Sequence, residues 1–299
     1  MITADFCCCS DLLLIMQRNG LRWIFNCRRW SPSRDDLLAA LSCIQEEERD
    51  RIFKFYYKKD VKHALIGRLM LRKCVSDCLN INNDQILFTR TDKGKPVLAG
   101  QQTETSFDYN ISHDGDYCVL AADWISKVGV DISRVKESKE KSTNEYFKTM
   151  ERIFSHHEWL YIKDTPTLDQ SPLHRFHRLW ALKESFVKAE AIGIGYELRR
   201  IRFECPTECL QINKVNKDTL VYLDDKLSTD WLFEESVVDD KHVIAVALSG
   251  DQSILQSKRN ENNYFKLLKF EDLITSSIAM DVSECLWNSF DLKEEGRYD

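Results

Sequence analysis

The period of the apolar residues switches along the chain, and this switch restricts the fold more than any other feature. Phe107, Tyr109 and Ile111 alternate with polar residues, and Val128, Val130 and Ile132 do the same. That is the repeat of strands with one buried face. Between them Tyr117–Ala122 is a continuous apolar run suited to a buried strand, and Asp114-Gly115-Asp116 supplies the turn. On either side the period is helical. Ser33 and Asp36 form a capping box for a short helix through Leu37, Leu38 and Leu41. Residues 45–58 and 60–79 follow as helices, with Val61, Leu65 and Leu69 on an apolar face and Arg72 and Lys73 on a basic one. Residues 142–190 carry two stripes, Phe147/Met150/Ile153/Phe154 and Phe176/Leu179/Leu182/Phe186, closed by Gly193 and Gly195. Strands are expected near 199–204, 219–223 and 242–248. Short, hairpin-like strand connections predict an α+β chain with antiparallel sheets and packed helices.

Length and charge narrow the organisation. The 299 residues exceed one ordinary domain, and 43% apolar with 30% charged residues describe a chain able to bury a core. The net charge of −6 is uneven: residues 1–100 hold 17 Lys/Arg against 12 Asp/Glu, so that stretch is +5 and the rest −11. A basic lobe in an acidic protein suits a local anionic ligand better than nucleic acid. No apolar run approaches the ~20 residues that span a bilayer. The run Leu12–Met16 is too short for a secretory signal. Eleven cysteines without zinc spacing read as reduced thiols in a cytosolic chain. The final fifty residues are polar with scattered aromatics, an extension wrapped over the body or partly loose.

Three clusters carry candidate chemistry. In Arg90-Thr91-Asp92-Lys93-Gly94-Lys95-Pro96, a glycine between lysines, closed by proline, makes a cationic turn or a plain solvated one. Asn110-Ile111-Ser112-His113 ends a strand with groups able to bind phosphate, although a histidine there is also compatible with a half-buried structural role. Asp131 sits in the strand Val128-Gly129-Val130-Asp131-Ile132, opposite Val130 and Ile132, where a carboxylate is exposed or held by a partner such as a metal. Glu184 and Lys188 share a helical face at i and i+4, either a surface ion pair or a metal ligand beside a phosphate contact.

In this order the segments resemble the phosphopantetheinyl transferase family. The resemblance rests on Gly129 and Asp131, followed about fifty residues later by Trp180, Lys183, Glu184, Ser185 and Lys188, with Arg-Thr-x-Lys-Gly-Lys-Pro and Asn-Ile-Ser-His upstream. Arg22-Trp23, Gln45–Arg51, Gly67–Met70 and Gly193–Glu197 look like the animal branch, so the resemblance covers roughly residues 20–250.

The resemblance implies two similar lobes about a pseudo-two-fold axis, 1–126 for coenzyme A and 127–250 for metal and catalysis, with 251–299 as an extension. It implies that Arg51, Arg90, Thr91, Asp92, Lys93, Gly94, Lys95, Asn110, Ile111, Ser112 and His113 hold the nucleotide and phosphates. The helix segment Glu184, Ser185, Phe186, Val187 and Lys188 borders the same ligand. Asp131 and Glu184 would hold Mg²⁺, with Glu184 as base and Lys188 on the leaving oxygen. Bacterial relatives carry a second acid where this chain has Ser133, so a water on Ser133 would complete the metal's shell.

The implied reaction moves phosphopantetheine from coenzyme A to a serine of apo carrier domains, of fatty-acid synthase and aminoadipate reductase type, releasing 3′,5′-ADP. The implied protein is a cytosolic monomer that binds neither nucleic acid nor membrane. Two other readings compete. A kinase or nucleotidyl transferase would need a glycine-rich phosphate loop, and neither form occurs. A non-catalytic coenzyme A or carrier-binding module would not require Asp131, Glu184 and Lys188 together.

Overall fold

The computed structural model describes residues 19–92, 94–100, 107–136, 142–163, 170–193, 197–275 and 277–298. The N-terminal half contains β1 (Leu21–Asn26), α1 (Arg34–Ser42), α2 (Glu46–Ile52), α3 (Lys58–Leu79), β2 (Phe88–Arg90), β3 (Pro96–Leu98), β4 (Phe107–Asp114) and β5 (Tyr117–Trp124). The C-terminal half contains β6 (Lys127–Arg134), α4 (Thr143–Thr149), α5 (His156–Lys163), α6 (Pro172–Glu190), β7 (Ile201–Glu204), β8 (Leu220–Leu223), β9 (Lys226–Ser228), β10 (Trp231–Asp239) and β11 (His242–Ser249). The extension adds α7 (Gln252–Asn260), β12 (Lys266–Leu267), α8 (Phe270–Ile274) and α9 (Cys285–Asp291).

The α+β architecture matches the sequence reading, and the connections repeat. Each half runs from a strand through a long helix to an antiparallel hairpin whose last strand lies in the middle. Thus β5 pairs with both β1 and β4, and β11 pairs with both β6 and β10, all antiparallel.

Side-chain alternation assembles these layers. On β6, Val128, Val130 and Ile132 enter a core shared with Ile24, Val119 and Ala121 of the other sheet. The opposite face of β6 meets α6 so closely that a Cβ on Gly129 would lie 2.0 Å from the Ser185 carbonyl oxygen. Glycine is required there by contact between two backbones. In the N-terminal half α3 covers the other face of β5, packing against Cys118, Leu120 and Ala122.

The two sheets are separate ladders, joined at their neighbouring edges by side chains of β4. Asp108 accepts the Val128 N–H (2.7 Å), Asn110 that of Val130 (3.1 Å) and Asp114 that of Arg134 (2.8 Å). The alternation of β4 therefore faces polar groups toward β6, where they satisfy an otherwise unpaired strand edge.

Several expectations are sharpened. The helix read over 45–58 ends at Ile52, because Tyr57 is extended (φ −94°, ψ 143°) and starts α3 afresh. Arg72 is buried rather than on a basic face; Glu48 and the Asn83 carbonyl accept its guanidinium. The extension is packed onto the body: β12 pairs in parallel with β1, and Leu268, Phe270, Leu273 and Phe290 join the N-terminal core. The described cysteines are free thiols. No described helix is long and apolar enough to cross a membrane.

Candidate active site

A cleft of about 750 Å³ opens between the halves, lined by α2, α3, the β2–β3 hairpin and β4 on one side and by α6 with Gly193 and Leu198 on the other. Helical period selects the residues that α6 contributes. Trp180, Glu184, Val187 and Lys188 face the cleft at i, i+4, i+7 and i+8, and Ala191, the left-handed cap of the helix, follows them. Ser185 and Phe186 point elsewhere. The Ser185 hydroxyl donates to the Leu182 carbonyl (2.8 Å), and Phe186 packs on Trp231 with ring centroids 4.5 Å apart.

At the cleft floor the two halves share a hydrogen-bonded triangle. Lys188 Nζ lies 2.5 Å from Asp131 Oδ1 and 2.8 Å from Ser112 Oγ, and that hydroxyl donates to the same carboxylate oxygen at 2.9 Å. Burial pushes the Asp131 carboxyl above the ordinary carboxylate range, and the Lys188 ammonium opposes this. Burial also raises Glu184, and the neighbouring Asp131 charge raises it further. The two acids therefore belong to one electrostatic site.

Two crowded carboxylates supply the hard oxygen donors that a Mg²⁺-like ion takes, with the remaining positions left to water and substrate. Among the described residues no group of three or more Asp, Glu, His or Cys is arranged for a metal. The donor set thus fits an ion held by two acids and completed by other oxygens. Ser133, also on the α6 face of β6, bonds the His177 Nδ1 at 2.8 Å.

The other end of the cleft is cationic. Arg51, Arg90, Gly94 and Lys95 reach it, while Asn110, Ile111 and His113 of β4 line the wall beside the triangle. Thr91 builds the turn rather than the wall: its carbonyl accepts the Gly94 N–H (2.8 Å) and its hydroxyl the Lys95 N–H (3.1 Å). Gly94 adopts φ +88°, which favours glycine. Asp92 lies on that turn away from the cleft lining, and Lys93 falls outside the described residues. Lys95 is held by both oxygens of Asp108 at 2.8 Å.

Sequence reading missed Arg68, Glu48, His63 and Trp180 as cleft residues. Burial lowers the Arg68 pKa, Glu48 opposes that, and Arg90 and Arg51 lower it again. Guanidinium groups crowded this way gain when an anion arrives. The signal was present: Ala64, Gly67, Arg68 and Leu71 form one helical stripe whose small residues leave room beside the arginine. Lys183, part of the sequence fingerprint, is fully buried. Its ammonium pairs with Glu158 at 3.0 Å and donates to the Leu198 and Ile201 carbonyls.

Clustered cations, and paired acids beside a lysine, suit an enzyme that transfers a group from a phosphorylated donor. Comparison with known proteins gives that class its family. Residues 28–125 match the model of the 4′-phosphopantetheinyl transferase N-terminal region, and residues 127–247 that of the 4′-phosphopantetheinyl transferase superfamily. The L-aminoadipate-semialdehyde dehydrogenase-phosphopantetheinyl transferase of Xenopus laevis is 41% identical over 92% of this chain and 93% of its own length. The Homo sapiens protein of the same name is 40% identical over 94% of each. The 4′-phosphopantetheinyl transferase gsp of Aneurinibacillus migulanus is 30% identical over 66% of this chain and 73% of its own. The chain belongs to the 4′-phosphopantetheinyl transferase superfamily, and it transfers phosphopantetheine from coenzyme A to carrier proteins.

Proposed function

We propose that the chain is a holo-carrier-protein synthase of broad range, which uses Mg²⁺ and acts as a cytosolic monomer on fatty-acid synthase and aminoadipate reductase carriers. The observation that carries this reading is the convergence of Asp131 and Glu184 beside Lys188, on a floor shared by both halves. The vertebrate relatives are named for an L-aminoadipate-semialdehyde dehydrogenase, and likeness along almost the whole chain supports a related carrier here. One chain supplies every wall of the cleft, which supports a monomer. The free thiols support a reducing compartment.

Arg51, Arg68, Arg90 and Lys95 hold the anionic nucleotide end of coenzyme A, and Asn110 and His113 border its phosphates. Bound between Asp131 and Glu184, the metal ion would neutralise pyrophosphate charge. Glu184, raised by burial, accepts the proton of the carrier serine. The serine oxygen forms a bond to the β-phosphorus while the bond to the bridging oxygen breaks, and 3′,5′-ADP leaves with its charge met by Lys188. Fixed charges that need no reorganisation suit this step.

Incubating the chain with coenzyme A, Mg²⁺ and each apo-carrier in turn tests the proposal. A mass gain of one phosphopantetheine on both carriers, abolished by EDTA, is the expected result. Modification of one carrier alone would overturn the breadth, and coenzyme A binding without any mass gain would favour a binding module.

A further inference from the structure

His63, on α3, is a cleft residue that the reaction does not use. Its Nδ1 lies 2.8 Å from the Lys59 carbonyl oxygen, one helical turn back. A carbonyl only accepts, so Nδ1 carries the hydrogen and Nε2 keeps a lone pair. That Nε2 is buried without any hydrogen-bond partner, although the residue is only 5% exposed. A buried unsatisfied acceptor is uncommon and calls for an explanation. The ring contacts both Tyr298 of the extension (centroids 5.8 Å apart) and His113 (5.1 Å, planes inclined 31°). About 5 Å is also the centroid separation of two imidazoles joined by one N–H···N bond. His113, in contrast, is exposed on the cleft wall.

We propose that His63 is a positioning residue that acts through His113, its Nε2 accepting an N–H of His113 when a phosphate of coenzyme A takes the other N–H. The proposal rests on the reading above that His113 borders a phosphate. A lone pair at His63 Nε2 repels a lone pair on His113 and attracts only an N–H. An imidazolium with both nitrogens protonated satisfies the phosphate and His63 together. Burial lowers the His113 pKa and Lys188 on α6 lowers it further, against Asp114 on its own strand, Asp60 on α3 and Asp131 on β6, so the second proton comes with the arriving phosphate, whose negative charge favours the imidazolium. The charged groups facing His63 are Lys59 and Lys62, and the Tyr298 ring also contacts it. Burial and His113 hold His63 near pKa 4, so it remains a neutral acceptor at neutral pH.

The test is a double-mutant cycle on coenzyme A affinity, measured by calorimetry, so it does not depend on transfer. His63→Phe keeps an aromatic ring and removes the acceptor; it should weaken binding about ten- to hundredfold, the worth of one hydrogen bond to a charged group. His63→Gln, whose amide oxygen reaches the Nε2 position, should restore affinity to within about twofold. In a His113→Ala background, His63→Phe should change affinity less than twofold. In steady-state assays the loss should fall on KM for coenzyme A rather than on kcat. In the unsubstituted chain, imidazole ¹⁵N spectra should show His63 Nε2 becoming a hydrogen-bonded acceptor on adding coenzyme A. Unaltered affinity in His63→Phe, an equal loss with or without His113, or an unmoved Nε2 resonance would each overturn the proposal. A chain that binds coenzyme A as predicted but modifies no carrier would instead contradict the functional reading.

Discussion

Lys188 Nζ lies 2.5 Å from Asp131 Oδ1, and the pair joins the last turns of α6 to the centre of β6. The ammonium holds down a carboxyl that burial pushes up. Removing it in Lys188→Met leaves desolvation unopposed, so Asp131 protonates at higher pH. In the proposed mechanism Asp131 acts ionised, so the acid limb of kcat/KM should move to higher pH, and kcat should fall. A pH profile of the variant beside the unsubstituted chain measures this, and an unmoved acid limb would dissociate Asp131 from the rate.

Gly129 tolerates no side chain. A Cβ there would lie 2.0 Å from one backbone atom of α6 and 2.5 Å from another, the Ala189 nitrogen, and neither can step aside. Gly129→Ala should therefore destabilise the fold by roughly 3 kcal/mol or more, in the range of overpacked cores. Urea unfolding gives the number; a loss below about 1 kcal/mol would mean that α6 and β6 can separate.

Lys183 is predicted to matter for folding and not for chemistry. Its buried ammonium answers Glu158, which also accepts the Phe203 N–H at 3.1 Å. Lys183→Met strands that carboxylate and should cost about 3–5 kcal/mol. The folded fraction should retain its turnover per molecule within a few-fold, as measured on purified soluble protein. A hundredfold drop in kcat at full stability would place Lys183 in the chemistry.

His177 should make stability depend on pH. It is buried, bonded to Ser133, and burial lowers its pKa to about 4 from an ordinary 6.5. The unfolded chain thus binds the proton more readily between these values. The contribution of neutral His177 is complete above pH 6.5 and is lost as pH falls toward 4. At about 1.4 kcal/mol per pKa unit, the full effect is roughly 3 kcal/mol. Denaturation at pH 7.5 and pH 4.5 should show His177→Gln losing less stability on acidification than the unsubstituted chain. Equal losses would contradict this.

Much of the scaffold could be read from local pattern. The strands at 107–111, 117–122 and 128–132 and the box at Ser33 and Asp36 follow from alternation and capping chemistry alone. β10 was not read, because Glu234 and Glu235 interrupt its apolar run. Both are nevertheless buried, answered by Arg22, Lys217 and Arg178 from distant segments. β1 was missed for the same reason: Arg22 is buried in it. Helical period put Glu184 and Lys188 on one face, and the family resemblance, not the period, singled them out as candidate site residues. The site was illegible where the cleft lining depends on which residues α3 turns inward, as for Arg68 and His63.

Transfer by the chain itself, dependent on its paired acids, is the claim to test first. Mass spectrometry of an apo-carrier incubated with coenzyme A and Mg²⁺ should show one added phosphopantetheine with the unsubstituted chain. Neither Glu184→Gln nor Asp131→Asn should add any, while Glu184→Gln keeps coenzyme A affinity within about tenfold, because only charge is removed. Full modification by either variant would contradict the account.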